Sequence, residues 1–286
     1  GVNQLAILVN KMDAVDYDEA KFNKVKEDVE KLLKSIGYDT SKIPFLAVSA
    51  WKGDNVAKAT DNTKWFDGKT LIDTLDDLEA PPSPIDKALR IPVQDVYNIK
   101  GVGAIPVGRV ETGSVKPGDQ VIVMPSGKTG EMKSMEEHHT QLTEAKPGNN
   151  IGFSIRGLGA DDINRGDVIG PVKDPPTVVT EFTAQIVVLN HPTAIPVGYT
   201  PVFHLHTAQM SMTITEITKK LNPATGETLE ENAKFLKTGD AALVKIKPTK
   251  AVCAEKFADF PQLGRFAIRD MGQTVAAGVI LEVVKK

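Results

Sequence analysis

Two kinds of hydrophobic periodicity divide the chain. Up to residue 80, apolar positions come as short solid runs or at a 3.6-residue spacing; beyond residue 86 they recur every second residue. The first solid run, Leu5-Ala6-Ile7-Leu8-Val9, leads straight into Asn10-Lys11-Met12-Asp13. That is the pattern of a buried strand delivering a polar loop at its carboxyl end. A second run, Ile43-Pro44-Phe45-Leu46-Ala47-Val48, ends in Ser49-Ala50-Trp51. Between them Phe22, Val25, Val29, Leu32, Leu33 and Ile36 keep helical spacing, so the segment reads as strand, helix, strand. Such a unit is right-handed and puts both polar loops on one edge of the sheet. After a polar stretch from Lys52 to Lys69, the positions Leu71, Ile72, Leu75 and Leu78 predict a last helix. It stops at Ala80-Pro81-Pro82-Ser83-Pro84, because proline denies helix continuation and stiffens a linker.

The period-2 region predicts strands at Ala88 to Tyr97, Ala104 to Glu111 and Gln120 to Met124. Turn chemistry separates them at Lys100-Gly101-Val102-Gly103, Lys116-Pro117-Gly118-Asp119 and Ser126-Gly127-Lys128. Further turns at Pro147-Gly148-Asn149-Asn150 and Arg165-Gly166-Asp167 keep the spacing short, which points to a closed β-barrel. Asp174-Pro175-Pro176 marks a softer boundary. Beyond it, strands at Val178 to Leu189, Pro201 to His206, Met210 to Leu221, Ala241 to Ile246, Arg265 to Arg269 and Thr274 to Val284 predict a second barrel, with Asn222 to Glu227 as a hairpin-like excursion. The expected plan is α/β plus all-β: 1–80, the tail of an α/β nucleotide-binding domain; 81–86, a linker; 87–175 and 176–286, two antiparallel barrels.

Composition narrows the class without naming a function. With 41% hydrophobic and 25% charged residues in 286, the chain is an ordinary globular protein. No apolar run approaches the ~20 residues of a membrane span, and no signal peptide is evident. A single cysteine, Cys253, excludes a disulfide framework and suits a reducing cytoplasm. Residues 1–86 carry 11 basic and 16 acidic groups, net −5; residues 87–286 carry 23 and 21, net +2. A strongly basic nucleic-acid footprint is therefore absent, and any RNA contact must use a local patch.

The loop Asn10-Lys11-Met12-Asp13 carries the clearest chemistry. One carboxylate accepts from both N1–H and N2–H₂ of guanine, whereas adenine presents no such donor pair. Asn10 can brace the loop, the Lys11 stem can lie along the base, and Ser49-Ala50-Trp51 can offer backbone N–H groups to the guanine O6. These are the last two of five GTPase motifs. The phosphate cradle G-x-x-x-x-G-K-[ST] and a D-x-x-G ahead of Asn10 do not occur, so the Mg²⁺ ligands and switch segments that phosphoryl transfer needs are expected outside this chain. The chain reads as a piece of a longer protein that does not hydrolyse GTP alone. Other constellations fail their context. His204 and His206 lack a third donor for zinc and read as structural. His138-His139 follow Glu136-Glu137, so a metal is conceivable there, but adjacent strand residues point to opposite faces, and the pair reads as a surface and interface feature. Cys253 has no neighbouring histidine to activate it.

Over its whole length the sequence resembles the translation elongation factor 1-alpha family, most closely its archaeal form. The guanine loops match, the run from Ile91 to Gly113 resembles the start of the family's first barrel, and the runs Phe235 to Val244 and Leu263 to Val279 resemble its second. The resemblance implies a cytoplasmic, GTP-dependent carrier, with GTP or GDP and Mg²⁺ in the intact protein. Its partners would be aminoacyl-tRNA, the ribosome and an exchange factor of the elongation factor 1-beta type, with no membrane. It also implies that Gln94, Asp95 and Tyr97 line the aminoacyl-adenosine pocket, with Glu136 and Asn150 opposite. Arg269 and Met271 fall where the family meets the tRNA T-stem, although Arg269 could equally be a buried structural arginine. Related GTPases carry a release factor or a rescue factor such as Pelota instead. The third alternative is an isolated interaction fragment.

Overall fold

The computed structural model describes all residues except 1–3, 36–37, 81, 102 and 224. Ile36 of the expected helix face, Pro81 of the linker, and Val102 and Ala224 of two expected turns therefore lie outside the described residues. Residues 1–82 and 83–286 form two compact units.

In the first unit, β1 (Ile7–Val9) and β2 (Phe45–Ala47) pair in parallel, Ile7 opposite Phe45. The connection between them is α1 (Glu19–Ser35). A short α2 (Leu71–Asp76) follows, its first turn closed by Thr70, whose hydroxyl oxygen accepts the Asp73 N–H at 3.2 Å. Phe22 of α1 is buried with Val9, Met12 and Ala47, and packs on Trp65 at 5.2 Å between ring centres. Helical spacing finds α1 but overstates its buried face. Phe22 and Leu33 are buried, whereas Val25 and Leu32 are 44% and 60% exposed; two three-residue strands are narrower than the apolar stripe laid over them.

The second unit contains two closed barrels. The first comprises β3 (Ile91–Ile99), β4 (Gly103–Arg109), β5 (Gln120–Met124), β6 (Lys128–Glu137), β7 (Thr140–Gln141), β8 (Asn150–Arg156) and β9 (Val168–Pro171). Strand order β5-β9-β3-β4-β8-β6 closes through β5–β6 pairing, so six strands have no free edge and β7 is an appendix on β6. Beyond the first barrel lie β10 (Val178–Val188), β11 (Ile195–Pro196), β12 (Val202–Leu205), β13 (Ala208–Leu221), β14 (Thr228–Glu231), β15 (Phe235–Leu236), β16 (Ala241–Pro248), β17 (Val252–Cys253), β18 (Arg265–Asp270) and β19 (Gln273–Lys285), of which β11 and β15 pair as a separate two-stranded sheet and the others belong to the second barrel's sheet. Its order β12-β18-β19-β10-β16-β13 closes through β12–β13. Alternation along β10 sends Phe182, Ala184, Ile186 and Val188 inward, the period-2 signal of the sequence.

The barrels meet at a seam where Met124 and Val168 of the first pack with Val178, Cys253, Leu263 and Phe260 of the second. Arg90, 2% exposed, crosses it. Its Nε donates to Glu255 Oε1 at 3.1 Å, Nη1 to the Leu89 and Asp174 carbonyls, and Nη2 to Asp174 Oδ1 and the Pro175 carbonyl. Phe260 lies 4.8 Å beneath the guanidinium. His206, in the turn after β12, places Nε2 3.0 Å from the Cys253 carbonyl. That contact requires an Nε2–H donor, and loss of hydration pushes the imidazole pKa down to about 4.

Truncating Arg90→Ala strands the Glu255 carboxylate at the seam and should cost about 3–5 kcal/mol in urea unfolding, whereas Arg90→Met with Glu255→Leu should recover most of the loss. For His206 the unfolded ring, with its ordinary value near 6.5, takes up a proton that the folded ring refuses. Stability should therefore fall as pH drops from about 6.5 to about 4. His206→Gln keeps a donor for Cys253 and should flatten that part of the Tm-against-pH curve.

Candidate functional site

The two polar loops emerge side by side because β1 and β2 are adjacent and parallel. Asn10 opens the first loop and Lys11 adopts a left-handed φ of 64°, which turns the chain across the sheet end. Asn10 Oδ1 accepts the Lys11 N–H at 2.7 Å and the Ala50 N–H of the second loop at 3.0 Å. Met12 N–H adds a bond to the Val48 carbonyl at 3.2 Å. Ser49 is buried and donates its hydroxyl to Asp13 Oδ1 at 2.6 Å. One Asp13 oxygen is thus fixed, and the half-buried carboxylate is aimed by a neighbour 36 residues away. The six expected guanine residues, Asn10, Lys11, Asp13, Ser49, Ala50 and Trp51, stand on these two loops. One detail changes: the Ala50 N–H serves Asn10, so among the described residues it is the Trp51 N–H that lacks a partner and can meet a base carbonyl. The Trp51 indole is 89% exposed.

Residues outside the motifs hold the loops. Asn55, buried, donates Nδ2 to the Ala47 carbonyl and to Thr63 Oγ1, both at 2.8 Å. The Tyr17 hydroxyl donates to Asp54 Oδ2 at 2.5 Å. That bond raises the phenol pKa and lowers the carboxyl's, so the proton stays on Tyr17. Nothing in local periodicity marks these residues; only their proximity to the motifs does.

On the first barrel, β3 bulges between Val93 and Asp95, which leaves Gln94 and Asp95 both exposed. Tyr97 is 54% exposed and sits opposite Ile105. Ile99, Ile105, Glu136 and Asn150 line a cleft of about 450 Å³, together with Met135, Phe153, His138 and His139. Glu136 and Asn150 therefore share a cavity; Gln94, Asp95 and Tyr97 are outside its lining, with Tyr97 beside its Ile105 wall. Glu137 Oε1 accepts the Asn150 N–H and Oε2 accepts Asn149 Nδ2, both at 2.7 Å, bracing the loop that presents Asn150. The expectation that His138 and His139 face opposite ways is corrected. They are the two central residues of the β6–β7 hairpin, with φ of 49° and 63°, and both line the cleft.

On the second barrel, Arg269 is exposed at the end of β18, which removes the buried structural alternative. Met271, 57% exposed, occupies the following tight turn at φ 50°. Asp270 fastens the turn, accepting the Met271 N–H at 2.8 Å and the Tyr199 hydroxyl at 2.6 Å. Burial, reinforced by that carboxylate, pushes the Tyr199 phenol up. Among the described residues no group of three metal-binding side chains gathers, and no helix is long and apolar enough to cross a membrane.

Comparison with known proteins follows this layout. Residues 1–81 match the Elongation factor Tu GTP binding domain, 103–170 match Elongation factor Tu domain 2, and 181–281 match the GTP-eEF1A C-terminal domain-like family. The chain is 58% identical to Elongation factor 1-alpha of Methanospirillum hungatei across its full length, spanning 67% of that relative. It is 58% identical to the Methanothermobacter thermautotrophicus protein of the same name, over 99% of the chain and 69% of the relative. Among solved structures it is similar to Sup35 complexed with GMPPNP, with a TM-score of 0.68 at 28% identity, covering all of this chain and 70% of that one.

Proposed function

The chain belongs to the elongation factor 1-alpha family, and on that premise we propose that its loops after β1 and β2 read the guanine base of GTP or GDP. The barrels then take the aminoacyl end of tRNA for delivery to the ribosomal A site. The observation that carries the base reading is the Ser49–Asp13 hydrogen bond at 2.6 Å. It aims an acceptor-only carboxylate at the mouth of two adjoining loops, where the free Trp51 N–H can meet a guanine carbonyl. Donor and acceptor together fit guanine and clash with adenine, which reverses both.

For the acceptor end, the cleft between β4, β6 and β8 offers Glu136 and Asn150 for ribose hydroxyls and a free α-amino group, with Tyr97 at its side for stacking on adenine. Gln94 and Asp95 extend the polar rim. Arg269, exposed and without an ion pair among the described residues, suits a backbone phosphate, and Met271 in the adjoining turn can lie against sugar. The triphosphate and its Mg²⁺ are assigned to residues beyond these 286, since the phosphate cradle sequence does not occur here. The working place is the cytoplasm, with an exchange factor of the elongation factor 1-beta type as a further partner. A release factor or a Pelota-like rescue factor is the alternative cargo for the same scaffold.

Two measurements test this reading. In the full-length protein, Asp13→Asn should move preference from GTP towards xanthosine triphosphate, because an amide donor then faces the 2-carbonyl; unchanged discrimination counts against base reading. Tyr97→Ala should weaken aminoacylated tRNA by about 1–3 kcal/mol in a filter-binding titration, the usual loss of one stacked base. A loss as large for uncharged tRNA would take Tyr97 out of the aminoacyl pocket, and no loss at all would favour a protein cargo.

A further inference from the structure

Tyr17 and Asp54 lie outside the base-reading motifs, yet they join the same two loops from behind. Tyr17 ends the first loop in a left-handed conformation, φ 54°, directly after Asp16 at 50°. Two consecutive left-handed residues that are not glycine are costly and must be held. Holding comes from both ends of the residue. The Trp65 Nε1–H donates to the Tyr17 carbonyl at 2.9 Å, and the Tyr17 ring packs with Val9, Met12 and Phe22. The hydroxyl reaches Asp54 Oδ2 at 2.5 Å, while Asn62 Nδ2 approaches Oδ1 at 3.4 Å. Asp54 in turn grips the residue that aims Asp13. Its N–H donates to the Ser49 carbonyl at 3.1 Å, and its own carbonyl accepts the Ser49 N–H at 3.2 Å. The path from Tyr17 Oη to Asp54, Ser49 and Asp13 is therefore an unbroken chain of hydrogen bonds that closes a ring through the first loop itself.

From this ring we infer that Tyr17 and Asp54 are positioning residues for guanine discrimination: their hydrogen bond sets the height of Ser49, and through it the angle at which Asp13 meets the base. Neither touches the nucleotide. The inference rests on the guanine-reading proposal and adds to it the group that makes the reading selective. The base edge has two donors, N1–H and the exocyclic amine, and a tilt of the carboxylate loses the amine first.

The test compares GDP with inosine diphosphate, which lacks that amine, by isothermal titration on full-length protein. Tyr17→Phe keeps the ring packing and removes only the hydroxyl. It should lower the GDP-over-IDP preference by about tenfold, the scale of one lost hydrogen bond to a charged group, with Tm nearly unchanged. Asp54→Asn keeps an acceptor for the phenol and should retain most of the preference, whereas Asp54→Ala should match Tyr17→Phe. The double variant Tyr17→Phe/Asp54→Ala should be no worse than either single one, because both cut the same link. A purely structural role would weaken GDP and IDP together and leave their ratio intact, which overturns the inference; so does Asp54→Asn failing as badly as Asp54→Ala. Wild-type protein binding GDP and IDP equally would overturn this inference while leaving the reading of the 6-carbonyl and N1–H in place; wild-type protein binding GDP no better than ADP would remove the guanine reading itself.

Discussion

A single guanidinium makes one body of two barrels. Arg90 has five N–H donors in a rigid plane, and the seam supplies an acceptor for each: a carboxylate from the second barrel, a carboxylate and two carbonyls from the connecting segment, and the carbonyl of the preceding residue, Leu89. Glu255 is held in return by the Thr177 N–H at 3.1 Å. Buried charge is tolerable only when it is this fully paired, so the sequence between the barrels cannot drift without exposing a cost. The apolar contacts of Val168, Val178, Cys253 and Leu263 would hold two barrels together loosely; the directional bonds fix their register. Residues on different barrels are thereby held at a set separation.

The loop end of the first unit uses a different strategy. Its two strands are only three residues each, and what gives the loops their shape is polar cross-linking rather than bulk. Asn10, Asn55, Ser49 and Asp54 each satisfy backbone or side-chain groups of a neighbouring segment. Left-handed residues at Lys11, Asp16, Tyr17 and Asn55 show where the chain is bent against its preference. Strain of this kind persists only where surroundings over-determine it. A pre-set loop spends little entropy on ordering when ligand arrives.

Much of this was legible in the sequence, for physical reasons. Strand and helix periods follow from burial, and the Gly, Pro and Asp turns follow from backbone geometry, so the βαβ unit and both barrels could be read from residue order. The two polar loops could be placed because each motif is local: Asn10 to Asp13 and Ser49 to Trp51 are each contiguous. What stayed hidden lies in long-range pairing. Ser49 with Asp13, Tyr17 with Asp54 and Arg90 with Glu255 are 36, 37 and 165 residues apart. No periodicity encodes such partners. His138 and His139 were misread because two residues joining strands were treated as strand; an i, i+1 pair in a tight hairpin obeys turn geometry instead. Val25 and Leu32 show the complementary error, since a hydrophobic stripe records what can be buried and not how much cover is present.

The two tryptophans of the chain occupy opposite environments within the first unit. Trp65 is wedged against Phe22 and Phe66, with its indole N–H committed to the Tyr17 carbonyl; Trp51 projects from the second loop almost wholly into solvent. An indole in water emits at longer wavelength than one in an aromatic cage. The molecule therefore carries two optical channels: a red-edge signal that senses the mouth of the loops and a blue-edge signal that senses whether the small unit is folded, separable in one spectrum without any label.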